Sequence, residues 1–69
     1  MKDLRSDLLT AFEAHAVGHI EKHRMNVEVY LQNPAGIGEH SDIMEAIETE
    51  MRQIAEYEDM LEMRRKYFK

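Results

Sequence analysis

Hydrophobic and polar residues alternate with helical spacing along both halves of the chain. In the first half, side chains of one stripe recur every three or four residues: Leu9, Phe12, Ala16, His19, Ile20, His23, Val27, Tyr30 and Leu31. In the second half the corresponding stripe is Ile43, Ile47, Met51, Ile54, Leu61 and Phe68. Because this spacing follows the turn of an α-helix, each half is predicted to be one amphipathic helix.

The helix breakers of the chain are concentrated between these halves. Pro34, Gly36 and Gly38 lie within residues 33–40, and Pro34 is the only proline. We therefore predict a helix over about residues 3–32, a loop over 33–40 and a second helix over about 41–67. Ser41 or Asp42 can cap the second helix, and Asp42 with Glu45 three residues later resembles a capping box. A short connection makes the helices antiparallel neighbours, so residues 1–69 are predicted to form one all-α hairpin domain.

The first helix carries a second stripe that its partner helix cannot cover at the same time. It follows alternating spacings of four and three, which is a heptad pattern. The stripe consists of Leu4, Leu8, Ala11, His15, Gly18, Lys22, Met25, Val29 and Gln32. Glycine inside a helix costs about 1 kcal/mol relative to alanine, so Gly18 suggests a close approach by another helix. The alternative is a tolerated surface glycine beside scattered apolar residues.

We interpret this second stripe as the interface of a homo-oligomer. The predicted interface residues are Leu4, Leu8, Ala11, His15, Gly18, Met25 and Val29. A chain this small is marginally stable without a disulfide, a metal or an oligomer partner, and it contains no cysteine. The simplest closed assembly is a two-fold dimer that forms a four-helix bundle, with the first helix inside. Another protein is the alternative partner.

The charge of the chain bears on its possible partners. Fourteen Asp and Glu against nine Lys and Arg give a formal net charge of −5. Binding to nucleic acid or anionic lipid relies on cationic residues, so neither partner is expected. No apolar run approaches the roughly 20 residues of a membrane span, and the charged N-terminus lacks a signal-peptide core.

Three histidines at intervals of four residues form the clearest candidate for chemistry. His15, His19 and His23 lie on one side of the first helix, and a pair at this spacing can chelate zinc or copper. In the antiparallel hairpin, Glu50 approaches His23 and Glu58 approaches His15. These five residues are the candidate metal ligands. The alternative is that the histidines only hydrogen-bond or ion-pair with the facing glutamates, which would make assembly depend on pH near the histidine range.

Acidic residues of the second helix give a weaker pattern. Glu45, Glu48, Glu56 and Asp59 superficially resemble the carboxylate motifs of the all-α nucleotide pyrophosphohydrolases. Those enzymes hold magnesium between acidic pairs on two helices, whereas all four acids here lie on one helix. Glu48 and Glu56 would be about 12 Å apart along its axis, too far to share one ion. We therefore predict a solvated acidic face, no catalytic residues and no cofactor beyond the candidate metal.

Much of the chain resembles one group of viral proteins. The resemblance is carried by residues 19–31 (HIEKHRMNVEVYL), 33–43 (NPAGIGEHSDI) and 45–48 (EAIE). These residues resemble short proteins of contractile-tailed phages that infect marine cyanobacteria. The resemblance implies a phage protein made in a bacterial cytoplasm, acting there or in the virion, and it supplies no activity. Together with the stripes, it leads us to expect a non-enzymatic assembly or protein-binding module, and a metal-binding bundle as the alternative.

Overall fold

Two long helices make up the part of the chain that the structure describes. The structure is a computed structural model, and it describes residues 3–32 and 42–69. Helix α1 spans Leu4–Gln32 and helix α2 spans Ile43–Tyr67, so both predicted helices are confirmed. The described residues contain no strand and extend over 54 × 20 × 14 Å. The predicted loop 33–40 lies outside these residues.

Side chains cap the helices where the sequence places capping residues. The Asp3 carboxylate accepts a hydrogen bond from the backbone N–H of Arg5 at 3.1 Å. The Asp42 carboxylate accepts one from the backbone N–H of Glu45 at 2.8 Å, which confirms the predicted N-cap of α2. Such bonds satisfy backbone donors that have no partner within the first helical turn. At the other end of α2, the guanidinium of Arg64 donates to the carbonyl oxygen of Phe68 at 3.2 Å.

The helices pack antiparallel, and contacts between them fix the register. Near the start of α1, the Arg5 guanidinium donates to the Lys69 carbonyl oxygen at 2.8 Å. About two helical turns further along α1, Arg65 Nε donates to Glu13 Oε1 at 3.1 Å. These pairs join the first half of α1 to the end of α2. The predicted helical hairpin is therefore present.

The contact between the helices is a narrow seam with heptad spacing on both sides. We call this contact the hairpin seam. Ala16, Val27 and Leu61 are its buried hydrophobic residues among those described. Half-buried residues continue the pattern along α1 at Leu9, Phe12, His19, His23, Asn26 and Tyr30, and along α2 at Ile43, Ile47, Glu50, Ile54, Tyr57 and Arg64. Alternating steps of three and four keep such positions on one side of each helix.

Three residues that the apolar pattern assigned to the seam lie outside it. Leu31, Met51 and Phe68 are 58%, 52% and 54% exposed, so this part of the prediction was wrong. Glu50, Tyr57 and Arg64 are half-buried. They lie one heptad apart, so the seam of α2 follows their side of the helix and leaves Met51 beside it. Phe68 follows the last residue of α2, so helical spacing no longer sets the direction of its side chain.

The hairpin leaves an unusually large surface for its mass. The chain exposes 5586 Å², whereas a compact monomer of 8.2 kDa exposes roughly 4,500 Å². Eleven large hydrophobic side chains of the described residues are at least 46% exposed. Two helices can bury only one stripe of each, which leaves these side chains exposed.

Candidate functional site

The second stripe of α1 lies on the surface of the hairpin. All of its residues are exposed, including the seven predicted interface residues. Leu4, Leu8, Met25 and Val29 are 72%, 61%, 53% and 57% exposed. At about 100° per residue, the stripe lies roughly 110° around α1 from the hairpin seam. The hairpin therefore does not cover this stripe, as the sequence predicts.

Gly18 lies at the middle of the stripe with open space above it. A Cβ atom built at Gly18 would meet no described atom within 4 Å, apart from its chain neighbours and the nearby backbone of its own helix. Packing within the hairpin therefore does not require glycine at this position. Since glycine weakens the helix, its presence is consistent with a close approach by a second helix.

Near the N-terminal end of α1, the stripe continues into an apolar groove. Leu4, Leu8, Leu9 and Phe68 line one depression. Leu9 and Phe68 also line a neighbouring depression of about 410 Å³, together with Phe12, Met60, Met63, Arg64 and Tyr67. We call the two depressions together the terminal groove. Through this groove, the apolar surface of α1 is continuous with that of the last two turns of α2.

A polar cluster interrupts the hairpin seam halfway along. His23 Nδ1 is 2.6 Å from Glu50 Oε2, and since a carboxylate only accepts, the ring nitrogen donates. Asn26 Nδ2 donates to the other carboxylate oxygen of Glu50 at 2.7 Å. The His23 and Glu50 side chains are 12% and 16% exposed. The predicted approach of Glu50 to His23 is therefore confirmed, and both oxygens of this partly buried carboxylate are satisfied.

Aromatic rings stack beside this polar cluster. His19 stacks on Tyr57 of α2 with ring centroids 4.7 Å apart. The His15 ring lies 4.4 Å from that of His19 and meets the edge of Tyr57 at 5.9 Å. His15 is exposed, whereas His19 and Tyr57 are half-buried. Tyr57 thus provides the surface on which two of the three histidines are held together.

The five candidate metal ligands do not meet at one point, although the rings of His19 and His23 are stacked with centroids 6.1 Å apart. His15 and His19 form one pair, and His23 is hydrogen-bonded to Glu50. Glu58 is exposed and lines a different groove with Ile20 and Arg65, so Tyr57, rather than Glu58, contacts the His15 ring. Over residues 3–32 and 42–69 of a single chain, no three His, Asp or Glu are grouped closely enough to hold a metal ion. Metal binding by these residues stays a prediction.

The surroundings of His19 disfavour its charged form. Partial burial, followed by the nearby His15, Lys22 and His23, lowers the pKa of His19 below its usual value of 6.5. From α2, His19 faces the neutral ring of Tyr57, while Glu50 is bonded to His23. The pKa shift of His19 is thus opposite in direction to the one expected for a histidine whose protonated form is stabilised by a facing glutamate.

The contribution of His19 to the stability of the metal-free protein is expected to fall as the pH decreases from 7.5 to 5.5. Because the pKa of His19 is lowered in the folded chain, the unfolded chain binds more protons in this range, and unfolding becomes easier. The loss should begin near pH 6.5, the usual histidine value. Urea melts at pH 7.5, 6.5 and 5.5 with a chelator present measure it.

A His19→Gln variant is the control for that experiment, and its stability should depend less on pH. Arg24 holds the pKa of the Glu21 carboxyl below its usual 4.5, through a hydrogen bond and then its charge. The nearby Glu21 carboxyl therefore titrates well below the pH range of the experiment and is not the cause of a pH dependence within it. A wild type that loses no more stability toward pH 5.5 than His19→Gln does would contradict the assignment.

The acidic residues of α2 occupy the side that faces away from α1. Glu45, Glu48, Glu56 and Asp59 are all exposed, in agreement with a solvated face. Glu48 lies 3.6 Å from Arg52 in an exposed i, i+4 pair, a type that contributes little to stability. Neither described helix has an apolar stretch long enough to cross a membrane.

Asn26 and Tyr57 contact the candidate site residues Glu50 and His19, and the sequence patterns missed both. Neither belongs to an apolar stripe, but both fit the three-and-four spacing of the observed seam. That spacing, with polar residues included, is the signal that would have found them.

In comparisons with protein-family models, curated proteins and solved structures, nothing matched this chain.

Proposed function

We propose that the chain is a self-associating helical hairpin that serves as a non-enzymatic assembly or protein-binding module. The observation that carries this proposal is the exposed heptad stripe of α1, which includes Leu8, Gly18 and Met25. The partner is a second copy of the chain, and the simplest product is a two-fold dimer with four helices. The resemblance to cyanobacterial phage proteins supports a role in an infected bacterial cytoplasm or in the virion.

The surface area of the chain supports association. The exposed surface of 5586 Å² exceeds that of a compact monomer of this mass by about 1,000 Å². A standard interface removes about 800 Å² from each partner. One interface along the stripe would therefore bring the surface of each chain close to that of an ordinary folded protein.

The composition of the hairpin seam supports association as well. The buried hydrophobic residues of the described helices are Ala16, Val27 and Leu61, and the middle of the seam is occupied by polar side chains. So few buried side chains supply little stability to a domain of this size. Burial of apolar residues between two copies adds to the core that the single chain lacks.

Met25→Glu is expected to dissociate the dimer, whereas Met51→Glu is expected to leave it intact. The two methionines are 53% and 52% exposed, but only Met25 lies on the stripe. A glutamate at Met25 would place a charge in a desolvated interface, and this is strongly unfavourable. Sedimentation equilibrium over a range of concentrations gives the mass of both variants and of the wild type.

The wild type and Met51→Glu should both have twice the chain mass of 8.2 kDa, and Met25→Glu should have the mass of one chain. A wild-type monomer at all accessible concentrations would contradict the proposal. Equal dissociation of both variants would show that the interface is not specific to the stripe.

A further inference from the structure

The order of residues along the stripe selects one arrangement of the two copies. In an antiparallel pair with its two-fold axis between residues 16 and 17, the large apolar residues at one end of the stripe face those at the other end of the stripe in the second copy. The facing pairs are Leu4 with Val29, Leu8 with Met25, Ala11 with Lys22, and His15 with Gly18. Shifting the copies by one heptad toward the C-terminus would leave Leu4 without a partner.

A parallel pair is less favourable. It would place each Lys22 against its own copy, and likewise each His15. Like charges at facing positions oppose association. In the antiparallel pair the long Lys22 side chain passes over the small Ala11, and its ammonium group can reach solvent. The antiparallel arrangement is therefore the one in which the sizes and the charges of the facing side chains both fit.

This arrangement brings two pairs of histidines to the two-fold axis. At 1.5 Å per residue, His15 and His19 of each copy lie within roughly 4 Å of the axis along the helix direction. In an antiparallel pair the two-fold axis runs perpendicular to both α1 helices, so the side of α1 that packs against α2 faces the same way in both copies. All four rings therefore lie on that side of the pair. Within one chain the two rings are already 4.4 Å apart and are held against Tyr57.

We propose that the dimer binds one divalent transition-metal ion, such as Zn²⁺, on its two-fold axis through His15 and His19 of both copies. The proposal rests on the self-association proposed above, because a single chain supplies only two imidazoles. Two further imidazoles from the second copy complete a four-coordinate nitrogen site. His23 is not a ligand of this site, because at 1.5 Å per residue it lies roughly 10 Å from the two-fold axis along the helix.

The surroundings of the pair favour this assignment over a purely structural role. Buried histidines that only support packing normally hydrogen-bond to a protein group, as His23 does. In the described part of the chain, His15 and His19 have ring contacts but no hydrogen-bonded side chain. Their nitrogens would be enclosed when the second copy covers the stripe, and a metal ion would then satisfy them.

The test is a Zn²⁺ titration of chelator-treated protein by calorimetry, with the mass followed by sedimentation equilibrium. We expect one Zn²⁺ for every two chains. His15→Ala and His19→Ala should each weaken Zn²⁺ binding by at least about 100-fold, since even partners of a metal ligand contribute up to that factor. Co²⁺ in place of Zn²⁺ should give the visible absorption of a tetrahedral site.

His23→Gln is the matched control, because it removes a neighbouring histidine but retains a donor for Glu50. It should keep the wild-type stoichiometry and affinity. Circular dichroism of each variant checks that it is folded. Gly18→Leu, which is expected to separate the copies, should bind Zn²⁺ far more weakly than the wild type.

The possible outcomes separate the two proposals. A dimer that takes up no Zn²⁺, or whose binding survives His15→Ala and His19→Ala, would overturn the metal site but leave self-association intact. One ion bound per chain in a monomeric Gly18→Leu protein would also overturn the shared site. A wild type that stays monomeric with and without Zn²⁺ would overturn both proposals.

Discussion

Gly18→Leu is expected to reduce the mass of the protein in solution from that of a dimer to that of one 8.2 kDa chain. Within the chain the new side chain has space, because a Cβ atom at this position meets no described atom within 4 Å beyond its local helix. Leucine also favours the helix by up to about 1 kcal/mol relative to glycine. The hairpin should therefore stay folded while its partner is excluded. Light scattering and circular dichroism measure the two effects.

Gly18→Ala is the matched control for this experiment. Alanine gives a similar gain in helix stability, but it adds only a methyl group to the interface. We expect this variant to weaken association less than leucine does. A Gly18→Leu protein with the same mass as the wild type would show that no helix approaches Gly18. The stripe would then be surface, and the dimer would have to form elsewhere.

The two helices could be predicted because local chemistry alone fixes their positions. Asp42 caps α2 through the backbone of Glu45, as the sequence indicates, and Pro34, Gly36 and Gly38 are confined to the segment between the helices. The antiparallel register follows from the short connection, and for this reason the approach of Glu50 to His23 was foreseen. The exposed stripe of α1 follows in the same way, because a single partner helix can cover only one side.

The composition of the seam could not be predicted from apolar residues alone. Glu50 and Tyr57 occupy positions that a hydrophobic pattern leaves out, and they draw the seam away from Met51. Burial of a carboxylate requires partners for both of its oxygens, and these partners, His23 and Asn26, come from the other helix. Such pairing depends on tertiary contacts, so no spacing rule within one helix reveals it.

The same polar seam links the two proposals, self-association and a metal shared between copies. The hydrogen bonds of Glu50 give the hairpin a defined register, but polar contacts of this kind add little net stability. In the proposed dimer, additional apolar burial comes from the second copy, and the stripe that would provide it also carries His15. Closing the interface would thus enclose His15 and His19 together. Partner and metal are expected to stabilise each other by linkage.

Leu61→Ala is expected to lower the free energy of unfolding by about 2–5 kcal/mol, the range for truncating a buried leucine. Leu61 is 5% exposed and is the largest buried hydrophobic residue of the described helices. A domain of this size has little stability in reserve. The variant should therefore be substantially unfolded at 37 °C. Urea denaturation followed by circular dichroism, at one fixed protein concentration, gives the difference from the wild type.

Leu31→Ala is the matched control for Leu61→Ala, because it removes the same atoms from a side chain that is 58% exposed. Its effect should stay within about 0.5 kcal/mol, as for other surface positions. Equal losses at the two leucines would mean that the seam does not determine stability. A large loss at Leu31 with none at Leu61 would place the core on the opposite side of the hairpin. A large loss confined to Leu61 would establish that the hairpin seam, although polar at its centre, is where the chain holds its two helices together.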